Sequence, residues 1–405
     1  MKDDQLRRNT PSPAQESPGQ VPGRRTSRLF FIDHLRAALA ILVVLHHVAL
    51  VYGASAPFYY VNPPFNDLVA FRVLLVFVLV NQSWFMGAFF LLAGYFTPGS
   101  HDRKGQAAFL KDRLIRLGIP LAFFFFALQP ISLIGLYLGP ARQIAEPLTW
   151  QSYSQMYEYL LGLGPTWFLA LLLIFSFGYA GWRGLTRNQR SSSETGFSMP
   201  SYLGIGIFVL VLAGVSYLVR IRIPIGKEVG DFPTLAYLPQ YLSFFVLGII
   251  ASRRNWLQSL PSSLGAAGFM LALAAAVFLF PLAFSGRLLS LELTEGLTNA
   301  MGNGHWQSAV YALWDSSFAA GMCLFLITLF RRFLNRENRL GRFLARQSFA
   351  VYIIHIPVIV FLTYAMRGID LPNLLKFALA SVFIVPLCFV IAYILRRIPG
   401  VSSVL

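Results

Sequence analysis

Long apolar stretches recur along this chain and restrict it to one class of fold. A helix needs about 17–25 mostly apolar residues to cross the hydrocarbon core of a bilayer. Hydrophobic residues make up 56% of the sequence and charged residues only 12%, and ten stretches of that length occur. They cover residues 31–52, 72–97, 115–138, 158–181, 201–220, 234–252, 264–284, 307–331, 348–366 and 373–396. The sequence therefore predicts an all-α, polytopic membrane helix bundle with about ten transmembrane helices.

The basic residues are distributed unevenly between the connections. A formal net charge of +16 fits either nucleic-acid binding or the cytoplasmic surface of a membrane protein. When the connections are assigned alternately to two sides, most of the 33 Lys and Arg residues share a side with the two termini. The positive-inside rule then places both termini in the cytoplasm and favours the lipid bilayer, not nucleic acid, as the partner. Arg220, Arg222 and Lys227 fall on the other side and fit this orientation poorly.

The chain divides into one membrane domain and two short tails. Residues 1–28 lack the apolar core of a signal peptide and are expected to form a disordered basic cytoplasmic tail. Residues 29–397 form the membrane domain, and residues 398–405 form a short cytoplasmic tail. No connection is long enough for a separate soluble catalytic domain, so any chemistry is expected in or at the membrane. Cys323 and Cys388 lie in apolar runs without metal-ligand spacing, so we expect packing residues and no metal site.

The first apolar stretch carries ionisable residues, which are costly inside a membrane. Such residues usually line a bundle interior or a substrate path. His47 follows Arg36 by eleven residues, which returns it to nearly the same helix face, whereas His46 points elsewhere. Asp33, one turn before Arg36, is placed to bond the guanidinium. We predict that Arg36 holds an anion and His47 acts as a general base; the alternatives are buried packing histidines and a solvated Asp33.

An arginine pair at the start of the third apolar stretch and a single aspartate inside the eighth are further candidates for functional residues. Arg113 and Arg116 are three residues apart, so they are neighbours on one helix face at the predicted cytoplasmic surface and suit a phosphate clamp. Contact with lipid headgroups is the alternative for this pair. Asp315 lies inside the eighth stretch, away from either charged flank. A carboxylate at that depth is expected to find a cation or to have a functional role.

The ninth stretch contains hydroxyl and imidazole groups at helical spacing. Ser348, Tyr352 and His355 are separated by four and three residues, so their side chains are predicted to project to one side of the helix. A substrate-binding surface and a helix–helix contact are both consistent with this pattern.

These motifs, in this order, resemble those of the acyltransferase-3 family of integral-membrane O-acyltransferases, and the resemblance covers roughly residues 29–397. Family members are similar in the Arg36 and His47 spacing, in the paired arginines of the third span, and in the late Ser, Tyr, His segment. The segments Phe31–Arg36 and Trp314-Asp315 look most like the branch of periplasmic-glucan succinyltransferases. Ala93 and Pro165 depart from the family pattern, which often has Ser and His there, so no role is carried over to them.

The resemblance implies a donor, an acceptor and a location. An acyl group, acetyl or succinyl, would pass from cytoplasmic acyl-CoA to a hydroxyl of an envelope saccharide or glucan, at a bacterial inner membrane. Arg113, Arg116 and Arg36 would hold the CoA phosphates, because guanidinium groups bind phosphate through charge-assisted hydrogen bonds. Acyl-CoA would be a co-substrate, and no permanently bound cofactor is expected.

The resemblance also implies roles for the remaining polar residues. His47 would take a proton as the acceptor hydroxyl attacks, and the catalytic set would be His47, Arg36 and Asp315. The residues expected to contact the substrate are Ser348, Tyr352, His355 and Asp33. The alternative function is a proton-coupled transporter that uses the intramembrane Arg, His and Asp as a relay. A non-catalytic scaffold would leave the buried charges unexplained.

Overall fold

The computed structural model describes residues 29–53, 56, 58–62, 67–138, 147–186, 199–233, 235–287 and 292–405. Across these ranges, ten helices are long and apolar enough to cross a membrane. They are α1 (Phe30–Gly53), α2 (Leu68–Lys104), α3 (Gln106–Leu138), α4 (Trp150–Leu185), α5 (Tyr202–Arg222), α6 (Leu235–Arg253), α7 (Ser262–Ala283), α8 (Trp306–Phe333), α9 (Arg339–Ala365) and α10 (Asn373–Leu395). The predicted all-α membrane bundle is therefore confirmed.

Each predicted apolar stretch coincides with one of these helices, although α3, α4 and α9 begin about two turns earlier than expected. The additional turns are polar, as in Arg339–Arg346 at the start of α9. Hydropathy marks only the part of a helix that lies in hydrocarbon, whereas the backbone stays helical into the interface. The predicted tail of residues 1–28 lies outside the described residues, and the cytoplasmic orientation of the termini stays a prediction.

Helix α1 lies at the centre of the bundle. It contacts α2, α8, α9 and α10, and apolar residues such as Leu39, Val44 and Val48 are buried around its circumference. In contrast, α5 exposes apolar side chains along most of its length, as expected of a helix that faces lipid. Polar groups on a central helix need protein partners or a cavity, so the surroundings of Arg36 and His47 locate the site.

Helices α2 and α6 approach each other closely through small residues. A Cβ atom on Gly94 would overlap the carbonyl oxygen of Phe245, and a Cβ on Gly248 would overlap the carbonyl oxygen of Leu91. Such contacts between backbones are a common means of packing helices in membranes. The α2 helix also turns at Ser83, whose carbonyl accepts a hydrogen bond from the buried amide of Gln240 at 2.7 Å. A neighbouring helix thus satisfies a polar backbone group that lipid could not.

Candidate active site

Two histidines from the two ends of the sequence meet in the interior. His47 of α1 and His355 of α9 approach with Nδ1 of His47 and Nε2 of His355 separated by 3.2 Å. The Nδ1 atom of His47 also lies 2.8 Å from the carbonyl oxygen of Val43. The Nδ1 atom of His355 lies 2.7 Å from the carbonyl oxygen of Tyr352. Packing of α1 against α9 therefore brings together two residues that are 308 positions apart.

These contacts determine which ring nitrogens carry protons. A carbonyl oxygen only accepts hydrogen bonds, so Nδ1 of His355 must be the donor to Tyr352, which leaves Nε2 of His355 as an acceptor. Nδ1 of His47 then faces two acceptors, the Val43 carbonyl and Nε2 of His355, and must be protonated. The assignment follows from the partners and leaves Nε2 of His47 with a free lone pair. That is the protonation state required of a general base.

His46 has a different environment from its neighbour. Its side chain is buried, and its ring stacks on that of Phe85 with the ring centres 5.1 Å apart. The sequence predicted that the two histidines point to different faces of α1, and the contacts confirm it. His46 therefore has a packing role between α1 and α2.

A cavity of about 320 Å³ lies towards the N-terminal half of α1, and we call it the arginine cavity. Its walls come from α1, α2, α3, α4 and α9. The polar residues that line it are Arg36, Arg113, Arg116, Ser348 and Tyr352. Five residues selected from three separate sequence motifs thus share one cavity. Its apolar lining includes Phe89, Phe96 and Phe168, which surround the cationic groups with hydrocarbon.

The arginines of this cavity are held in different ways. The guanidinium of Arg113 lies 5.1 Å from the centre of the Phe109 ring, whereas Nε of Arg116 pairs with Asp112 at 3.1 Å. Asp33 attracts Arg36 electrostatically, but it lines neither of the cavities described here. The predicted hydrogen bond between Asp33 and Arg36, and the predicted substrate contact of Asp33, stay predictions.

A second cavity, of about 440 Å³, lies at the other end of α1, and we call it the His47 cavity. Besides His47, it is lined by Phe58, Tyr59, Gln129 and Trp167, and by the turn that contains Glu228 and Asp231. The Tyr59 hydroxyl donates a hydrogen bond to Oε1 of Gln129 at 2.6 Å. Burial raises the pKa of the Tyr59 hydroxyl, so it remains a neutral donor.

A short segment within α4, at the start of its last helical run Trp167–Leu185, contributes residues to both cavities. Pro165 and Trp167 line the His47 cavity, and Phe168 lines the arginine cavity. The hydroxyl of Tyr352 donates a hydrogen bond to the carbonyl oxygen of Pro165 and so joins α9 to this segment. Gly164 precedes it with a φ of +44°, and a Cβ there would lie 2.5 Å from the Tyr59 hydroxyl. Only glycine fits this left-handed and crowded position.

Asp315 lies elsewhere in the bundle. Its Oδ2 atom accepts a hydrogen bond from Nη2 of Arg220 at 2.5 Å, and both side chains are 1% exposed. The guanidinium also lies 4.8 Å from the centre of the Tyr237 ring. The expectation that Asp315 finds a cation is confirmed. The pair lines neither cavity, so the catalytic role of Asp315 stays a prediction without support from its position.

This ion pair also explains why Arg220 fitted the predicted orientation poorly. Arg220 is neutralised inside the protein and is not a loop charge, so it says little about orientation.

Several residues at the His47 cavity were missed by the sequence analysis, namely Tyr59, Gln129, Glu228 and Asp231. Only Gln129, a polar residue within an apolar stretch, carried a signal that could have been noticed.

The fold and site define an integral-membrane protein with a histidine pair in its interior and two cavities lined by polar residues. The sequence matches the family model of the acyltransferase 3 domain over residues 29–393. The chain belongs to this acyltransferase family. It is also 25% identical, over 392 residues and 94% of both chains, to glucans biosynthesis protein C from strains of Escherichia coli. No solved structure matches.

Family membership makes the protein a membrane acyltransferase and favours the enzyme over the transporter alternative. Like its relatives, it is a multi-pass membrane protein.

Proposed function

We propose that this chain transfers an acyl group from acyl-CoA in the arginine cavity to a hydroxyl of an envelope saccharide in the His47 cavity. The observation that supports this most directly is the contact of Nδ1 of His47 with the Val43 carbonyl and with Nε2 of His355, from which we infer that Nε2 of His47 is free to accept a proton. His47 lines one cavity and lies on the helix that carries Arg36 into the other. The proposed base thus lines the cavity of the acceptor, and the donor would reach it from the arginine cavity.

The arginine cavity suits the phosphates of coenzyme A. Arg36, Arg113 and Arg116 supply three guanidinium groups, each able to bond phosphate oxygens through paired N–H donors. The cavity lies towards the N-terminal half of α1, on the side that the positive-inside rule assigns to the cytoplasm, where acyl-CoA is made. The acyl chain and thioester would extend along the apolar lining towards His47.

The reaction then needs only one proton acceptor. The acceptor hydroxyl oxygen attacks the thioester carbonyl carbon while Nε2 of His47 takes the hydroxyl proton. The new C–O ester bond forms, the C–S bond breaks, and coenzyme A leaves as a thiolate. The protonated His47 returns its proton to that thiolate, which restores the neutral imidazole. Nδ1 keeps its proton throughout, held by the Val43 carbonyl and by His355.

The acceptor to test first is a glucan, because the relatives are named for glucan biosynthesis. Membranes that contain the wild-type protein would be given radiolabelled acetyl-CoA or succinyl-CoA together with envelope glucans. We expect label in the glucan from one of the two donors. The His47→Ala variant is expected to lose about 10²–10⁴-fold in rate, which is the usual contribution of a general base.

A matched control separates loss of the base from general damage. His305 is exposed and lines neither cavity, so His305→Ala is expected to keep wild-type transfer. Protein level and membrane insertion would be measured for each variant. Wild-type transfer by a normally inserted His47→Ala protein would refute the assignment of His47.

A further inference from the structure

The two cavities carry opposite charges. Three arginines line the arginine cavity, whereas Glu228 and Asp231 line the His47 cavity. No Lys or Arg is among the described residues that line the His47 cavity. An anionic donor and its acceptor would therefore meet very different electrostatic environments. The following inference rests on the proposed function, because it concerns the acceptor in that reaction.

The two carboxylates are presented by a tight turn after α5. Val229 and Phe232 exchange two backbone hydrogen bonds, each of 3.3 Å, and Gly230 between them has a φ of +58°. Glycine readily adopts the positive φ that such two-residue hairpin turns need. Both carboxylates are exposed to solvent, and within the described part of the chain neither forms an ion pair. They are therefore free to bond a molecule in the cavity.

The rest of the lining suits a polyhydroxylated molecule. The Gln129 side chain and the Tyr59 hydroxyl provide neutral hydrogen-bonding groups, while Phe58 and Trp167 provide aromatic surfaces. A sugar ring has hydroxyl groups at its edge and apolar C–H groups on its faces, and it uses both kinds of contact. A carboxylate accepts hydrogen bonds from sugar hydroxyls and repels any anionic substituent.

We infer that the His47 cavity selects neutral polyhydroxylated acceptors and that Glu228 and Asp231 reject saccharides carrying carboxylate or phosphate groups. This is specificity by repulsion of the wrong partner in addition to attraction of the right one. It has a consequence for the product. A saccharide that has received a dicarboxylic acyl group is itself anionic, so the same two carboxylates disfavour its return for a second transfer.

The test compares two acceptors of equal chain length, a neutral glucan oligosaccharide and its carboxymethyl-substituted form. The full-length protein in membranes would be assayed with the acyl-CoA that supports transfer, and kcat/KM determined for each acceptor. At low salt we expect the wild type to favour the neutral acceptor by about tenfold or more, and less at high salt because ions screen exposed charges. The Glu228→Gln/Asp231→Asn variant is expected to bring the ratio close to one.

The controls keep this inference separate from the proposed function. Asp370 is an exposed carboxylate in a connection on the same side of the bundle, outside the His47 cavity, so Asp370→Asn should leave the ratio unchanged. The amide replacements preserve shape in an exposed turn, and protein level would confirm folding. A ratio that is the same in wild type and double variant would overturn the inference while leaving His47-dependent transfer intact. Absence of His47-dependent transfer in the wild type would instead refute the proposed function.

Discussion

The Nε2 atom of His355 lies 3.2 Å from the Nδ1 atom of His47, on the opposite side of the imidazole from the nitrogen that we assign as the base. His355 is completely buried, and its Nε2 atom accepts a hydrogen bond from Nδ1 of His47. Together with the Val43 carbonyl at 2.8 Å, it fixes both the tautomer and the orientation of His47. We therefore propose that His355 acts through His47 as a positioning residue. His355 lines neither cavity, so its predicted contact with the substrate stays a prediction.

Replacement of His355 is expected to weaken activity without abolishing it. Leu at this position removes the hydrogen-bond acceptor, but the Val43 carbonyl remains. A hydrogen bond contributes about 0.5–1.5 kcal/mol, which corresponds to a roughly 2- to 10-fold loss of rate. The His355→Gln variant can still offer an acceptor oxygen and should keep more activity than His355→Leu.

The measurement is kcat for acyl transfer at matched protein levels. A loss in His355→Leu as large as that in His47→Ala would mean that His355 takes part directly in proton transfer. Equal rates for the Gln and Leu variants would show that a hydrogen-bond acceptor at position 355 does not position the His47 ring.

The sequence could predict part of this arrangement. The spacing of Arg36 and His47 on one helix is a local property, and so is the shared side of Ser348, Tyr352 and His355. Ser348 and Tyr352 indeed line the arginine cavity together with Arg36. The contact between His47 and His355 depends on how two helices pack, and no local pattern determines that.

Removal of one arginine should weaken binding of the donor. Arg113 lines the arginine cavity and rests on the Phe109 ring, so its guanidinium is held without a carboxylate that competes for it in the contacts described. A hydrogen bond to a charged group is worth about 1.5–3 kcal/mol, so Arg113→Ala is expected to raise the Kd for desulfo-CoA roughly 10- to 100-fold. Binding would be measured by calorimetry on protein in detergent.

Arg103 provides the control for this measurement. It is an exposed arginine at the end of α2 and does not line the arginine cavity, so Arg103→Ala should leave the Kd within about twofold of wild type, as expected for a distant screened charge. Equal weakening by both substitutions would indicate a general effect of surface charge and not a phosphate clamp.

A methyl group at Gly94 should destabilise the bundle. Its Cβ would overlap the carbonyl oxygen of Phe245, so α2 and α6 would have to separate. Overpacking typically costs about 1–3 kcal/mol, and a backbone contact cannot move aside like a side chain. We expect a lower Tm for Gly94→Ala in detergent. Gly178 in α4 has open space around it, so Gly178→Ala should keep or slightly raise the Tm.

These two glycines also show why hydropathy predicts the transmembrane spans but does not predict how the helices pack against each other. Both lie in apolar stretches and look alike in sequence, yet one lies against a neighbouring backbone and the other faces open space. The ten spans could be found because crossing hydrocarbon needs a minimum length of apolar chain. The partners of each helix depend on surface shape, which a single sequence does not display. An unchanged Tm in Gly94→Ala would show that α2 and α6 separate at little cost.

Breaking the buried ion pair between Asp315 and Arg220 should cost more stability than breaking an ion pair on the surface. Removal of one partner of a buried ion pair leaves an uncompensated charge and typically costs about 3–5 kcal/mol. We therefore expect Asp315→Asn to lower the Tm strongly. Arg342 and Glu337 form an equally short ion pair of 2.5 Å, but both side chains are more than 40% exposed. Glu337→Gln should change stability by less than about 1 kcal/mol.

The double variant Arg220→Met/Asp315→Leu distinguishes a structural from a catalytic role for Asp315. This double variant has lost both buried charges, so it should be more stable than the Asp315→Asn variant. If the ion pair only holds α5 against α8, a folded double variant will retain His47-dependent acyl transfer. A double variant with wild-type Tm and no transfer would establish the catalytic role predicted from the sequence. The pair lines neither cavity, so we expect retained transfer.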